Sequence, residues 1–145
     1  MSWNGASTRE NKLKMAVLLG DKYLLRLFDR ENNTYTRSQL DNVAKGISDL
    51  MKNPSNLKTL SAVEEILSSK VSDNKFSSIN FKDATNKAGN NLIEFRIAGG
   101  DDYHMKTTDI VKSVVRYAAI MQAGHDPAAF RKDYILALYL SLIHI

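Results

Sequence analysis

Apolar residues recur at three- and four-residue intervals through the first quarter of the chain, where Leu13, Ala16, Val17, Gly20, Leu24, Leu27 and Phe28 share one face. The pattern predicts a single helix over roughly Arg9 to Phe28, with Lys12, Lys14, Lys22 and Arg26 turned outward. Ser7-Thr-Arg-Glu10 has the spacing of a capping box at its start. The polar stretch Asp29 to Ser38 reads as a loop. A second helix is expected from about Gln39 to Met51 on the stripe Leu40, Val43, Ala44, Ile47, Leu50 and Met51, closed by Asn53-Pro54. Leu57, Leu60, Val63, Ile66 and Leu67 suggest a shorter third helix, ending in the polar run Ser68 to Lys75.

The period then changes from helical to alternating. Phe76, Ile79 and Phe81 alternate roughly, and Leu92 to Ile97 more strictly, with Ile93, Phe95 and Ile97 on one face and Leu92, Glu94 and Arg96 on the other. Asn86, Gly89, Asn90 and Asn91 between them supply turn chemistry, so an antiparallel hairpin of about 76–82 and 91–97 is expected. Two strands alone are marginal, so helices must cover them or a larger parent must add strands. Gly99-Gly100-Asp101-Asp102 ends the second strand, and a long helix follows over about Thr107 to Ala123, with Ile110, Val111, Val114, Val115, Ala118 and Met121 as its expected buried face. Asp126-Pro127 reads as the start of a last helix, with Phe130, Tyr134, Ala137 and Leu138 on its apolar side. The fold class is therefore α+β: mostly helical, with a small antiparallel sheet.

Composition adds bounds. A chain of 145 residues fits one domain, expected over 1–139. Leu140-Ser-Leu-Ile-His-Ile145 resembles the translation of a transposon-type sequencing-library adaptor; residues 140–145 are therefore expected to be foreign to a metagenomic fragment, and His144 to carry no function. The absence of cysteine excludes a disulfide framework, a zinc-thiolate site and a thiol nucleophile. No apolar run is long enough for a membrane span, and a cytoplasmic location is the expectation. The net charge of +4 is dispersed, with 8 basic and 6 acidic side chains in residues 1–50 and 12 and 10 in the rest, so no nucleic-acid footprint forms. Of the three histidines, none stand four apart on one helix, and no phosphate-cradling glycine loop or nucleophile elbow occurs.

The candidate chemistry lies in Glu94 and Arg96. Alternation projects both from one strand face, where a carboxylate and a guanidinium either form a solvated pair or line a polar cleft. A guanidinium suits a carboxylate or phosphate oxyanion through two parallel hydrogen bonds, and a carboxylate suits a hard cation or an ammonium. Arg30, Tyr35 and Arg37 form a second cationic group on the loop after the first helix.

The order of these features, a helix leading into Leu27-Phe-Asp-Arg-Glu-Asn-Asn-Thr-Tyr-Thr-Arg37, a helical insertion, Ile79-Asn-Phe-Lys82, then Asn91-Leu-Ile-Glu-Phe-Arg-Ile97 and a long helix, resembles the C-terminal half of phage-type amidoligases over about residues 9–123. These are carboxylate–amine ligases of glutamine-synthetase-like fold, and Ile93-Glu-Phe-Arg96 matches their "(I/V)EFR" strand. The resemblance implies ATP- and Mg-dependent amide formation from a small-molecule or peptide carboxylate and an amine, through an acyl phosphate. It implies that Arg96 holds a phosphate or carboxylate oxygen, that Glu94 contacts a metal or the amine, and that Arg37, with Arg30 and Tyr35, reaches in from the loop. Departures are equally plain. The family's acidic "GxExE" and "HxH"-like strands are missing, and Ala98-Gly-Gly-Asp-Asp102 replaces its usual Gly-Thr. The chain is therefore expected to be inactive alone and to bind neither cofactor tightly. The alternative from another class is a small phage or mobile-element interaction protein with a solvated Glu94/Arg96 pair.

Overall fold

The computed structural model describes residues 9–53, 55, 59–82, 84, 92–126 and 128–143. Among them the order is α1 (Arg9–Leu19), α2 (Asp21–Leu27), α3 (Gln39–Lys52), α4 (Leu60–Ser68), β1 (Ile79–Asn80), β2 (Glu94–Phe95), a single 3-10 turn at Tyr103–Met105, α5 (Thr107–His125) and α6 (Arg131–Ile143). The mostly helical α+β class is as the sequence predicts. The expected capping box, the 83–91 turn apart from Ala84, Pro54, Leu57, Pro127 and His144 lie outside the described residues.

The helix expected over residues 9–28 is two. Gly20 sits at φ 65°, left-handed, and breaks the run before Asp21. A break leaves the last carbonyls of α1 without intrahelical donors, and Arg116 from α5 takes them: its Nε donates to Leu18–Leu19 at Leu19 O (2.6 Å) and its Nη2 to Leu18 O (3.0 Å). Lys14 is also not outward. It is buried, and its Nζ donates to the carbonyls of Asp126 and Ala129 at 2.9 Å each, satisfying the turn between α5 and α6.

α3 forms where its stripe predicts, capped by Ser38 Oγ accepting from the Asp41 N–H at 3.1 Å, with Val43, Ile47 and Leu50 inward. Thr59 caps α4 in the same way through Ala62, and α4 starts only at Leu60. α1 runs between two apolar cores. Met15 and Leu19 join Leu24, Leu25, Phe28, Ile79, Phe81, Ile93, Ile97, Ile120 and Met121 on one side, while Leu13 joins Val43, Ile47, Leu50, Val63, Leu67, Tyr134 and Leu138 on the other. Tyr134 also donates its hydroxyl to the buried Glu64 carboxylate at 2.9 Å, tying α6 to α4.

The hairpin is antiparallel with Ile79 opposite Phe95 and Asn80 opposite Glu94, so the paired region is shorter than the alternation. Pairing stops early because the strand next to Ser77–Ser78 is taken by another segment: Arg37 bridges Ser77 in parallel, and the Ser78 N–H donates to Arg37 O at 2.8 Å. Two further expectations are corrected. α5 buries Ser113, Tyr117, Ile120, Met121, Ala123 and Gly124, and leaves Val111, Val114, Val115 and Ala118 exposed. The reason is packing against the sheet, since Tyr117 stacks flat on Phe95 with ring centroids 4.4 Å apart, which rotates the valines away from the core. The last helix begins at Arg131 instead of at Asp126-Pro127. Asp126 Oδ1 instead accepts from the Ala128 N–H at 2.9 Å, a local turn that ends with Phe130 at φ 54° and half-exposed. The backbone of residues 140–143 continues α6.

Candidate functional site

The strand alternation of β2 splits its chemistry between two sheet faces. Phe95 meets Tyr117 of α5 on one face; Glu94 and Arg96 leave from the other. There Arg96 Nη1 lies 2.8 Å from Glu94 Oε1, with side-chain exposures of 29% and 55%, a half-open ion pair rather than a buried one. The Arg96 Nε donates a long 3.4 Å bond to the Tyr35 carbonyl, and its guanidinium lies 5.8 Å from the centre of the Phe76 ring. Tyr35 meets Phe76 edge to face at 5.2 Å. The loop after α2 thus packs against the far face of the sheet, and Tyr35 reaches Arg96 as well as Phe76.

Arg30 enters the same neighbourhood from behind. Its Nη1 donates to Ile97 O at 3.3 Å and to Ala98 O at 3.1 Å, just past the end of β2. Gly99 makes this possible: at φ 150° it has no side chain, and a methyl group there would collide with Arg30 Nη1. Burial pushes the Arg30 pKa down, and the Arg96 charge pushes it further, opposed by Tyr117. Arg30 Nε, Ser113 Oγ and the Tyr117 hydroxyl are buried without a well-aligned hydrogen-bond partner among the described residues. Burial also raises the Tyr117 pKa, tempered by the adjacent Ser113 hydroxyl, the Ala98 backbone and the Arg30 charge.

Four of the five residues singled out in the sequence, Arg30, Tyr35, Glu94 and Arg96, share this region. Arg37 does not. Its backbone is bound into the bridge with Ser77, and its exposed side chain opens onto a neighbouring polar hollow of about 320 Å³ shared with Asn33, Ser38, Asp41 and Lys45. Magnesium requires several hard oxygens at once. Glu94 brings one carboxylate, already paired with Arg96, and no group of three or more His, Asp or Glu occurs among the described residues.

Sequence reasoning passed over Ser113 and Tyr117. Their four-residue spacing was a signal, since it places two polar groups on one helical stripe. It also passed over Asp21, whose fully buried carboxylate accepts from Ser38 Oγ (2.7 Å), the Gln39 N–H (2.5 Å) and Ser78 Oγ (2.5 Å). That carboxylate ties α2, the start of α3 and the strand segment together, and so holds the Tyr35 loop against β1.

Comparison with protein-family models, curated proteins and solved structures gives no match. Among the described residues, no helix is long and apolar enough to cross a membrane.

Proposed function

We propose that this chain supplies the arginine-bearing part of an ATP-dependent carboxylate–amine ligase. One observation carries the reading: Arg30 donates to the Ile97 and Ala98 carbonyls, which brings its guanidinium to the end of β2, just past Arg96. With Arg96 paired to Glu94 at 2.8 Å, an oxyanion that displaces Glu94 would meet the Arg96 guanidinium in a region that Arg30 also makes positive. The resemblance of Ile93-Glu-Phe-Arg96 to the amidoligase strand supports the same role.

In this reading a substrate carboxylate oxygen attacks the terminal phosphorus of ATP, and ADP leaves. An amine nitrogen then attacks the acyl carbon; inorganic phosphate leaves with the bond electrons and the nitrogen gives up a proton. Arg96 holds oxygens of the acyl phosphate, where charge accumulates as phosphate departs. Arg30, fixed on the Ile97 and Ala98 carbonyls, keeps the local potential positive. Glu94 releases Arg96 when the oxyanion arrives and meets the incoming ammonium. Magnesium and the nucleotide are held by residues outside this set.

In the longer reading frame that this role calls for, Arg96→Ala is expected to lower amine-dependent ADP release by about a hundredfold or more. The 145-residue chain alone is expected to give none. Amine-dependent ADP release by the chain alone would contradict its being incomplete, and unchanged turnover in the longer Arg96→Ala protein would remove the ligase role.

A second reading is favoured by a different observation. The exposed valine face of α5 is what an interaction protein would present.

A further inference from the structure

A recess opens where α1, α5 and α6 meet. On α5, Arg116, Ala119, Ile120 and Ala123 stand three and four residues apart and so share one face, and the two alanines leave space that longer side chains would fill. Leu18 of α1 closes one side and Phe130 with Asp133 the other, around a volume of about 180 Å³. Ile120 and Ala123 are buried, which makes the floor apolar, while Ala119 is exposed at the mouth. An apolar cavity of about 150 Å³ accepts one benzene ring, so this recess takes a single ring and little more.

Its walls are fixed in advance. Phe130 has φ 54°, a left-handed conformation that strains a bulky residue, and it remains 46% exposed beside the recess instead of joining either core. The turn that carries it is held by the buried Lys14, whose Nζ donates to Asp126 O and Ala129 O at 2.9 Å each. Arg116 is held as firmly, with Nε on Leu19 O at 2.6 Å and Nη2 on Leu18 O at 3.0 Å. Its Nη1 has no partner among the described residues, and no carboxylate among them pairs with it. The Asp133 carboxylate, in the first turn of α6, likewise has no hydrogen bond or ion pair among the described residues. An unpaired cation and an unpaired anion therefore stand at the rim of one apolar recess.

We propose that this recess binds a free aromatic α-amino acid, with the ring against Ile120, Ala123 and Phe130, the carboxylate on Arg116 Nη1 and the ammonium on Asp133. The three features match the three parts of that molecule. A guanidinium held on backbone carbonyls meets a carboxylate through charge-assisted hydrogen bonds without first losing its own freedom. The carboxylate of Asp133 is the complement of the ammonium on the neighbouring carbon. Contact of the ligand ring with Phe130 adds an aromatic pair to the apolar area that the recess covers. None of these residues takes part in the Arg30, Glu94 and Arg96 region, so the inference stands apart from the ligase reading.

The test is a titration of the 15N-labelled 145-residue chain with L-phenylalanine, followed by NMR. Saturable millimolar shifts are expected, concentrated at the amides of Leu18, of Arg116 to Ala123 and of Phe130 to Asp133. Three analogues each remove one part of the ligand: phenethylamine lacks the carboxylate, 3-phenylpropanoate the ammonium and alanine the ring. Each is expected to bind about tenfold more weakly or worse. Ala119→Leu, at an exposed helix position, fills the recess and is expected to abolish binding while circular dichroism stays parental. Asp133→Asn is expected to bring L-phenylalanine down to the affinity of 3-phenylpropanoate. The analogue comparison uses the parent chain, so it decides the matter even where a variant fails to fold. The absence of saturable shifts, alanine binding as tightly as L-phenylalanine, or a folded Ala119→Leu with parental affinity would each overturn the proposal. Equal affinity of the parent for L-phenylalanine and either phenethylamine or 3-phenylpropanoate would overturn it as well, because one of the two charged contacts would then be missing.

Discussion

Asp21 shows how much of this fold rests on single polar groups. A carboxylate with no solvent access is tolerable only when its oxygens are satisfied, and three donors from two other segments, the start of α3 and Ser78, meet it. Asp21→Ala removes the acceptor and leaves Ser38, Ser78 and the Gln39 N–H without it; a loss of about 3 kcal/mol or more in urea unfolding is expected, with Asp21→Asn intermediate. Lys14 and Tyr117 make a second prediction, on pH. Burial lowers the Lys14 pKa from its ordinary 10.5, with Asp126 opposing that shift and Arg131 adding to it. The native state therefore binds fewer protons than the unfolded chain below that value, so stability rises with pH up to about 10.5. Burial raises Tyr117 above its ordinary 10.0, so the native state keeps a proton that the unfolded chain releases, and stability falls as pH climbs past about 10. Urea midpoints measured across the alkaline range should rise and then fall. Lys14→Met should flatten the rise, and Tyr117→Phe should remove the fall.

At the scale of elements, α3 was legible in the sequence because its face is strongly segregated and Ser38 sits at its start. The strand alternation was legible too: Ile79, Phe81, Ile93 and Ile97 are buried where the period placed them. The break at Gly20 was not, since a glycine within an apolar repeat reads equally as a helix residue, and what decides is distant: Arg116 to donate to the freed carbonyls and Ser78 to donate to Asp21. Nor was the rotation of α5. Four β-branched or small apolar residues on one stripe outweigh Ser113 and Tyr117 in any hydrophobic count, yet the stack on Phe95 fixes which side faces in. Lys14 was misplaced for a related reason: a lysine reads as solvent-facing unless two uncapped carbonyls await it. Gly20→Ala tests the break directly. The left-handed φ penalises a Cβ, which would also stand 3.4 Å from Arg116 Nη2, and a loss of about 1–2 kcal/mol in thermal or urea unfolding is expected. A gain in stability would show that the two helices prefer to be one.

Across the whole molecule, α1 separates two cores, and the small sheet sits at the margin of the first, with α5 on one face and the Tyr35 loop on the other. That arrangement gives the sheet one apolar and one charged side, and Arg30 binds the backbone just past Arg96 at its end. The sequence brought Glu94, Arg96, Arg30 and Tyr35 forward by residue type and order, but the convergence depends on Gly99 admitting the Arg30 side chain, a tertiary fact. The most direct test is a titration of the 15N-labelled chain with acetyl phosphate, followed by NMR. The account predicts saturable, millimolar shifts concentrated at the amides of Tyr35 and of Glu94 to Gly100, abolished in Arg96→Ala and weakened in Arg30→Lys, with inorganic phosphate competing. Shifts spread evenly over surface lysines, or unchanged by Arg96→Ala, would contradict it.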